Sequence, residues 1–399
     1  MYGMYRIFAE NVREKGYKWS FLPLVVGLTG IIQSHVLTGE MVRAVILLVC
    51  ILLIRRTLQK ERFWELVKAA FVTVALNLWF LVPFADFMLT QDVLVFNQSE
   101  EKMIQSTGVL LTQLLPRLVQ GRTRALGLAL PLGVILCAVM IWVSGREWSR
   151  ERRCGLFVLF LTVLQMWMST VYFPWDAILL RFPFMRNGII NIQYLWRFLS
   201  PATLLAVAAT GFALLLLWKK EGVRVFASVG TLLCVLSIIS GMLLIPERTD
   251  ETRIFRLNST KGIGTVVVAG EDEYLPVDAE RQVMTEVLDA RIYNGDLVYY
   301  EKHGTTVNFA VNDIEEDCYV LLPLLNYKGY RVISEDGSIT NDNLSTGENA
   351  VVRIDIPKEY SGGVVTVRYQ APWYWHVAEI LSVLSIVVLV ISYCRDKRK

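Results

Sequence analysis

The chain has 399 residues, 54% of them hydrophobic, and a formal net charge of only +3. Several apolar runs approach the roughly 20 residues that a helix needs to cross a bilayer, so a soluble enzyme is excluded and a polytopic α-helical membrane protein is expected. The basic residues stand in short clusters between those runs, where they mark topology; nothing points to a nucleic-acid partner, and the partner implied is membrane lipid.

Taken in order, the chain opens on Met1-Tyr2-Gly3-Met4-Tyr5-Arg6, which lacks the apolar stretch and cleavage site of a signal peptide, so later helices are expected to direct insertion. Spans are predicted at Trp19–Val36, Met41–Ile54 and Leu66–Phe84, with Leu37-Thr38-Gly39-Glu40 as a short turn between the first two. Ile104 to Val119 mixes apolar and polar residues and suits a helix lying in the interface. Further spans are predicted at Ala125–Ser144, Gly155–Phe173, Phe198–Trp218 and Val225–Ile245, and a last one at Val377–Tyr393, which makes about eight. The N-terminus, the clusters around Arg55, Arg146 and Lys219, and the tail Arg395-Asp396-Lys397-Arg398-Lys399 then fall on one side. The positive-inside rule makes that side cytoplasmic.

Residues 246–372, between the seventh and last spans, are polar and alternate in period two, as in Val352, Ile354, Ile356 and Val365, Val367, Tyr369. That pattern predicts half-buried strands, with turns at Lys302-His303-Gly304 and Glu335-Asp336-Gly337. The division is therefore a transmembrane helical domain over 1–245, an extracytoplasmic antiparallel β-sandwich over 246–372, and a last helix with a basic cytoplasmic tail over 373–399. A short helix over Ala279–Leu288 is expected before the main hairpin. Asn97, Asn258 and Asn343 stand in glycosylation sequons, which matter only in a cell that glycosylates secreted proteins. Five cysteines lie in or beside apolar runs and only Cys318 falls in the polar segment, so neither a disulfide framework nor a metal-ligand spacing emerges. No cofactor is evident, and a divalent metal requirement stays open.

The stretch Phe182 to Leu199 carries the chemistry: Phe182-Pro183-Phe184-Met185-Arg186 and Gln193-Tyr194-Leu195-Trp196-Arg197-Phe198-Leu199 set arginines and aromatics at the mouth of a helix. An arginine there holds a phosphate bidentately, or it anchors the helix end against headgroups; the residues alone leave both readings open. On the predicted topology His35, Asp86, Asp92, Asp176, Arg181, Arg186 and Arg197 all reach the external side.

The Gln193 to Leu199 motif resembles the Gln-aromatic-Pro-Trp-Arg-Phe-Leu element of a bacterial group labelled the "6-pyruvoyl-tetrahydropterin synthase-related" membrane domain. Ser34-His35-Val36-Leu37-Thr38, Leu78-Trp79-Phe80-Leu81-Val82-Pro83-Phe84, Glu273-Tyr274-Leu275-Pro276 and Leu322-Pro323-Leu324-Leu325-Asn326-Tyr327-Lys328-Gly329-Tyr330 point the same way, the last two being similar to YfhO-like proteins. The resemblance implies a GT-C architecture in the bacterial plasma membrane. Such a protein takes a sugar from a polyprenyl-phosphate donor and transfers it to a cell-surface glycan or lipid on the external face. Arg197, with Arg181 or Arg186, would then hold the donor phosphate, Gln193 and Trp196 would shape its pocket, and His35 would hydrogen-bond phosphate or cap a helix. Asp86, Asp92 and Asp176 are the candidate bases. The group usually carries its catalytic acid in a first external loop, which here is only four residues long, so further helices upstream are expected. A non-catalytic scaffold that binds lipid or polymer is the alternative reading. A transporter ranks third, because Arg43 is the only charge near a span's interior. Tyr299, Tyr327 and Tyr330 are expected to face an acceptor glycan or to fill the sandwich core.

Overall fold

A computed structural model describes the chain except residues 15, 94–102, 115–125, 145–148, 187–188, 190–191, 193, 252–274, 280–288 and 399, and the side chains of 243–251. The predicted helix at Ala279–Leu288, the sequons at Asn97 and Asn258, Gln193, and the Glu273-Tyr274 pair lie outside the described residues. The chain divides into two compact units, one of Met1–Val74 with Glu101–Phe255 and the other of Ala75–Glu100 with Arg256–Lys399. This partition differs from the predicted one, because the last helix and a segment near residue 80 belong with the sandwich.

In the first unit α1 (Tyr2–Ala9) buries Met4, Ile7 and Phe8 and packs on α2 (Leu22–Ser34). A helix leaves its last four carbonyls without an internal partner, which is half of those in so short an element. Here Tyr17 donates to Ile7 O at 2.8 Å, while Arg56 and Arg62 donate to Phe8 O at 3.1 and 2.9 Å. Helix α3 (Val36–Leu52) runs straight through Leu37-Thr38-Gly39-Glu40, so the expected turn is instead a one-residue break. His35 makes it: its backbone is extended, and its Nδ1 accepts the Thr38 N–H at 3.2 Å as an N-cap.

The expected third span is likewise broken, at Asn77, into α4 (Lys60–Leu76) and α5 (Leu78–Thr90). Next come α6 (Ala129–Val143), α7 (Arg150–Met168), the short α8 (Trp175–Arg181), α9 (Leu199–Glu221) and α10 (Val223–Glu251). Arg150, Arg152 and Arg153 form the first turn of α7 rather than a connecting loop. Helix α9 is the centre of the unit: Ala202, Ala206, Ala209 and Ala213 are fully buried along one stripe, and small residues there let α6 and α7 approach closely. Ile104 to Val119 is not one interfacial helix; its described part holds two 3-10 turns, Ile104–Thr107 and Leu111–Gln113, parted by Val109, which bridges Thr170.

Among the described residues three helices are long and apolar enough to cross a membrane: Leu195–Glu221, Val223–Met242 and Trp373–Lys397. The pair α4 and α5 adds a fourth if it counts as one span. The other predicted spans are shorter helices, or, as in α7, carry a charged first turn.

The second unit holds two four-stranded antiparallel sheets, ordered β1-β4-β7-β6 and β2-β3-β8-β5. Their strands are β1 (Arg291–Tyr293), β2 (Asp296–His303), β3 (Thr306–Asn312), β4 (Tyr319–Leu325), β5 (Tyr330–Ser334), β6 (Leu344–Thr346), β7 (Val351–Asp355) and β8 (Val365–Tyr369). Val307, Phe309 and Val311, Val320 and Leu322, Val352 and Ile354, and Val365 and Val367 all point into one core, as period two requires. The expected β2–β3 hairpin closes through Gly304 at φ 58°, a conformation that favours glycine.

Asp336 ties two loops of this sandwich. Its carboxylate accepts from Ser334 Oγ, from the Ser338 N–H at 3.1 Å and from the Ser361 N–H at 2.9 Å, and these bonds, Ser334 first, hold it well below the usual carboxylate range. A carboxylate depressed in the folded state stabilises at every pH above its ordinary value of 3.8, and that contribution fades as pH falls through the folded value. Thermal melting of Asp336→Asn against pH is expected to give a lower midpoint than wild type at neutral pH and a smaller further loss between about pH 4 and pH 2.

Candidate functional site

The first unit gathers its loops at one end around a cluster of Met41, Ile104, Trp175, Leu179, Ile192, Leu195 and Phe198. Helix α7 ends there. The Trp175 indole donates to Met168 O at 2.8 Å, and its ring stacks on Phe198 at 5.4 Å, which seats α8 against the mouth of α9. The Ile104–Thr107 turn completes the platform: Gln105 Nε2 donates to Val171 O at 3.0 Å, and Thr107 Oγ1 accepts the Leu195 N–H at 2.9 Å. Gly108 makes that approach possible, since a Cβ there would lie 2.5 Å from Val171 N.

On this platform stands Arg197. It is half-buried in the 3-10 turn Leu195–Phe198 that leads into α9; its Nη1 donates to Ile192 O at 2.8 Å, and its guanidinium lies over the rings of Tyr194 and Trp196 at 5.3 and 5.8 Å. The backbone bond and the two ring faces hold the guanidinium plane in place. Asp176, in the first turn of α8, is half-buried and accepts the Gln105 N–H at 3.3 Å. Arg181 ends the same helix beside the Phe182 ring at 5.9 Å, and Arg186 is exposed just past the Pro183–Met185 turn. Met41 carries the N-terminal turns of α3, with His35 as their cap, to the same end. Trp196, Arg197, Asp176, Arg181, Arg186 and His35 are thus brought to one end of the helical unit.

Asp86 and Asp92 belong to the second unit. Asp86, on α5, accepts from Lys328 Nζ and Tyr374 OH, each at 2.6 Å, and from Trp375 Nε1 at 3.0 Å. This carboxylate joins α5, the loop between β4 and β5, and the start of α11 (Trp373–Lys397). The hydrogen bond to Asp86, then that of Tyr374, raises the Lys328 ammonium above its ordinary pKa, so the pair stays charged over the physiological range. Helix α5 also packs along α11, where Ser382 Oγ accepts the Trp79 N–H at 3.0 Å and donates to Ala75 O at 3.1 Å across the break at Asn77. Asp92 is exposed beside the bridge of Val93 with Pro276.

Beside the Asp86 cluster the same unit opens a cleft of about 640 Å³, lined by Lys328, Arg331, Arg368, Trp373 and Tyr374. Arg331 on β5 and Arg368 on β8 are direct cross-strand partners, a like-charge pairing that costs stability unless an anion joins it. Of the three tyrosines, Tyr299 is exposed and donates to Glu301, Tyr327 packs on Phe87, and Tyr330 packs on the sandwich core.

Gln105 and Thr107, which position the platform, escaped the sequence reading because their stretch was expected to be a helix. The partners of Asp86 left a signal in the aromatic run Trp373-Tyr374-Trp375 and in Lys328 of the Leu322–Tyr330 stretch. Among the described residues no group of three or more His, Cys, Asp and Glu side chains is placed to hold a metal ion. No protein-family model, no curated protein and no solved structure matches this chain.

Proposed function

We propose that the chain is a GT-C-like integral membrane glycosyltransferase, or the C-terminal part of one, which moves a sugar from a polyprenyl-phosphate donor to a cell-surface glycan or lipid. One observation carries this reading: Arg197 is fixed against Ile192 O and two ring faces at the mouth of α9, with Asp176 at the same end of the unit. An oriented guanidinium suits a lipid-linked phosphate, and a carboxylate at the same end is the group type that takes a proton from an acceptor hydroxyl. The cationic, aromatic-lined cleft of the sandwich suits the acceptor, since sugar rings stack on Trp and Tyr and an anionic substituent meets Arg331 and Arg368.

The reading includes eight crossings. These are α2, α3, the pair α4 and α5, α6, α7, α9, α10 and α11, with both termini and the short basic clusters cytoplasmic and the sandwich external in a bacterial plasma membrane. A second reading, a non-catalytic protein that binds lipid or polymer, is favoured by the commitment of Asp86 to three donors and of His35 to capping α3. The first reading predicts that a cell lacking the gene loses a component of its surface glycan or glycolipid profile, restored by the wild-type gene. A normal profile by mass spectrometry contradicts it.

A further inference from the structure

Away from the Arg197 platform, the helical unit contains a groove of about 840 Å³ between α2, α3, α7 and α9, closed at one end by α1. The volume is within the roughly 300–1,000 Å³ of ligand sites. Its walls are apolar, with Leu24, Ile31, Val45, Leu161 and Leu205 among them. Along α9 the lining extends from Pro201 to Leu215, about 21 Å at 1.5 Å per residue, which is the dimension of an extended acyl chain rather than of a compact metabolite. Gly27 and Gly211 open onto the groove, and a Cβ added at either would meet nothing within 4 Å.

The end under α1 is cationic. Arg56, Arg150 and Arg153 line it, and among the described residues none of the three is paired with a carboxylate. Glu151, the one acidic residue of the lining, accepts instead from Lys219 at 2.7 Å. Arg150 lies over the Tyr5 ring at 5.1 Å and Arg56 donates to Phe8 O at 3.1 Å, so α1 fixes two of the guanidinium groups at the mouth. This mouth is far from Arg197: α7 begins at Arg150 and ends at Met168, which carries the carbonyl that seats Trp175, and its length of about 27 Å separates the two sites.

We propose that the groove holds an anionic phospholipid, with an acyl chain along α9 and the phosphate on Arg56, Arg150 and Arg153. Burial of the chain supplies affinity without directional demands, and guanidinium groups with no carboxylate partner among the described residues supply the preference for a phosphate-bearing anionic headgroup. The site goes beyond the transferase reading and does not depend on it.

The test uses the full chain in neutral detergent, mixed with equal amounts of dioleoyl phosphatidylglycerol and dioleoyl phosphatidylcholine, with retained lipid counted by native mass spectrometry. Wild type is expected to retain the anionic lipid in preference by about tenfold. Arg150→Gln with Arg153→Gln, both exposed positions, is expected to abolish the preference. Gly211→Leu, which fills the groove, is expected to lower retention of both lipids while circular dichroism stays at the wild-type value. Excess glycerol 1-phosphate is expected to leave the lipid bound, and its displacement by that soluble headgroup would overturn the assignment to an amphiphile. Equal retention of the two lipids by wild type, a preference that survives the double arginine substitution, or a folded Gly211→Leu chain with undiminished retention would each overturn the proposal.

Discussion

Replacing Asp86 with alanine is expected to destabilise the sandwich unit by about 3 kcal/mol, because hydrogen bonds to a charged group contribute about 1.5–3 kcal/mol each and do not add fully. Three donors lose their acceptor at once: the Lys328 ammonium, the Tyr374 hydroxyl and the Trp375 indole. The Asp86 side chain is only 13% exposed, whereas Lys328 is 39% exposed, so the indole and phenol bonds carry more of the loss than the screened ion pair. Tyr374→Phe removes one donor and is expected to cost about 1 kcal/mol. Limited proteolysis of the strands and thermal melting in detergent both read the effect. If Asp86→Ala melts like wild type but no longer transfers sugar, Asp86 is a base and not a clamp.

On the proposed transferase reading, Arg197→Ala is expected to lower sugar transfer by about a hundredfold or more, the scale on which a positioned donor to a charged group acts in catalysis, and to leave the protein inserted and abundant. Arg197→Lys separates the two roles open to this residue. A lysine keeps the charge and the snorkelling stem but lacks the planar fork, so it restores an anchor and does not restore bidentate phosphate binding. Transfer by Arg197→Lys is therefore expected to stay close to that of Arg197→Ala. If the loss falls on KM with kcat preserved, Arg197 holds donor and transition state equally; if kcat falls, its contact strengthens as the sugar leaves. Wild-type transfer by Arg197→Lys would assign the residue to anchoring.

The strands were legible because their signal is local. Val352, Ile354, Val365 and Val367 alternate with polar neighbours, and a strand with one buried face must show that alternation. The break at Asn77 was not legible, because the group that permits it comes from elsewhere in the chain. Leu66 to Phe84 reads as one apolar run, yet the helix stops at Asn77, where Ser382, about 300 positions further on, bonds both Trp79 N and Ala75 O. The pairing of α5 with α11 rests on the same distant contacts, so the helix that accompanies the sandwich was assigned from sequence to the helical domain. Arg197 was legible as a residue at a helix mouth. Its setting was not, because the Gln105 and Thr107 bonds reach across 66 and 88 positions of sequence.

The most direct measurement isolates the native protein from its membranes and supplies polyprenyl phosphate carrying a labelled sugar, with membranes from cells lacking the protein as the acceptor source. The account predicts that label leaves the polyprenyl lipid and appears in a cell-surface glycan or lipid with the wild-type protein, and that it does not with Arg197→Ala. Label that remains on a polyprenyl lipid bound by the wild-type protein contradicts the transferase reading and leaves a protein that binds the lipid without turning it over.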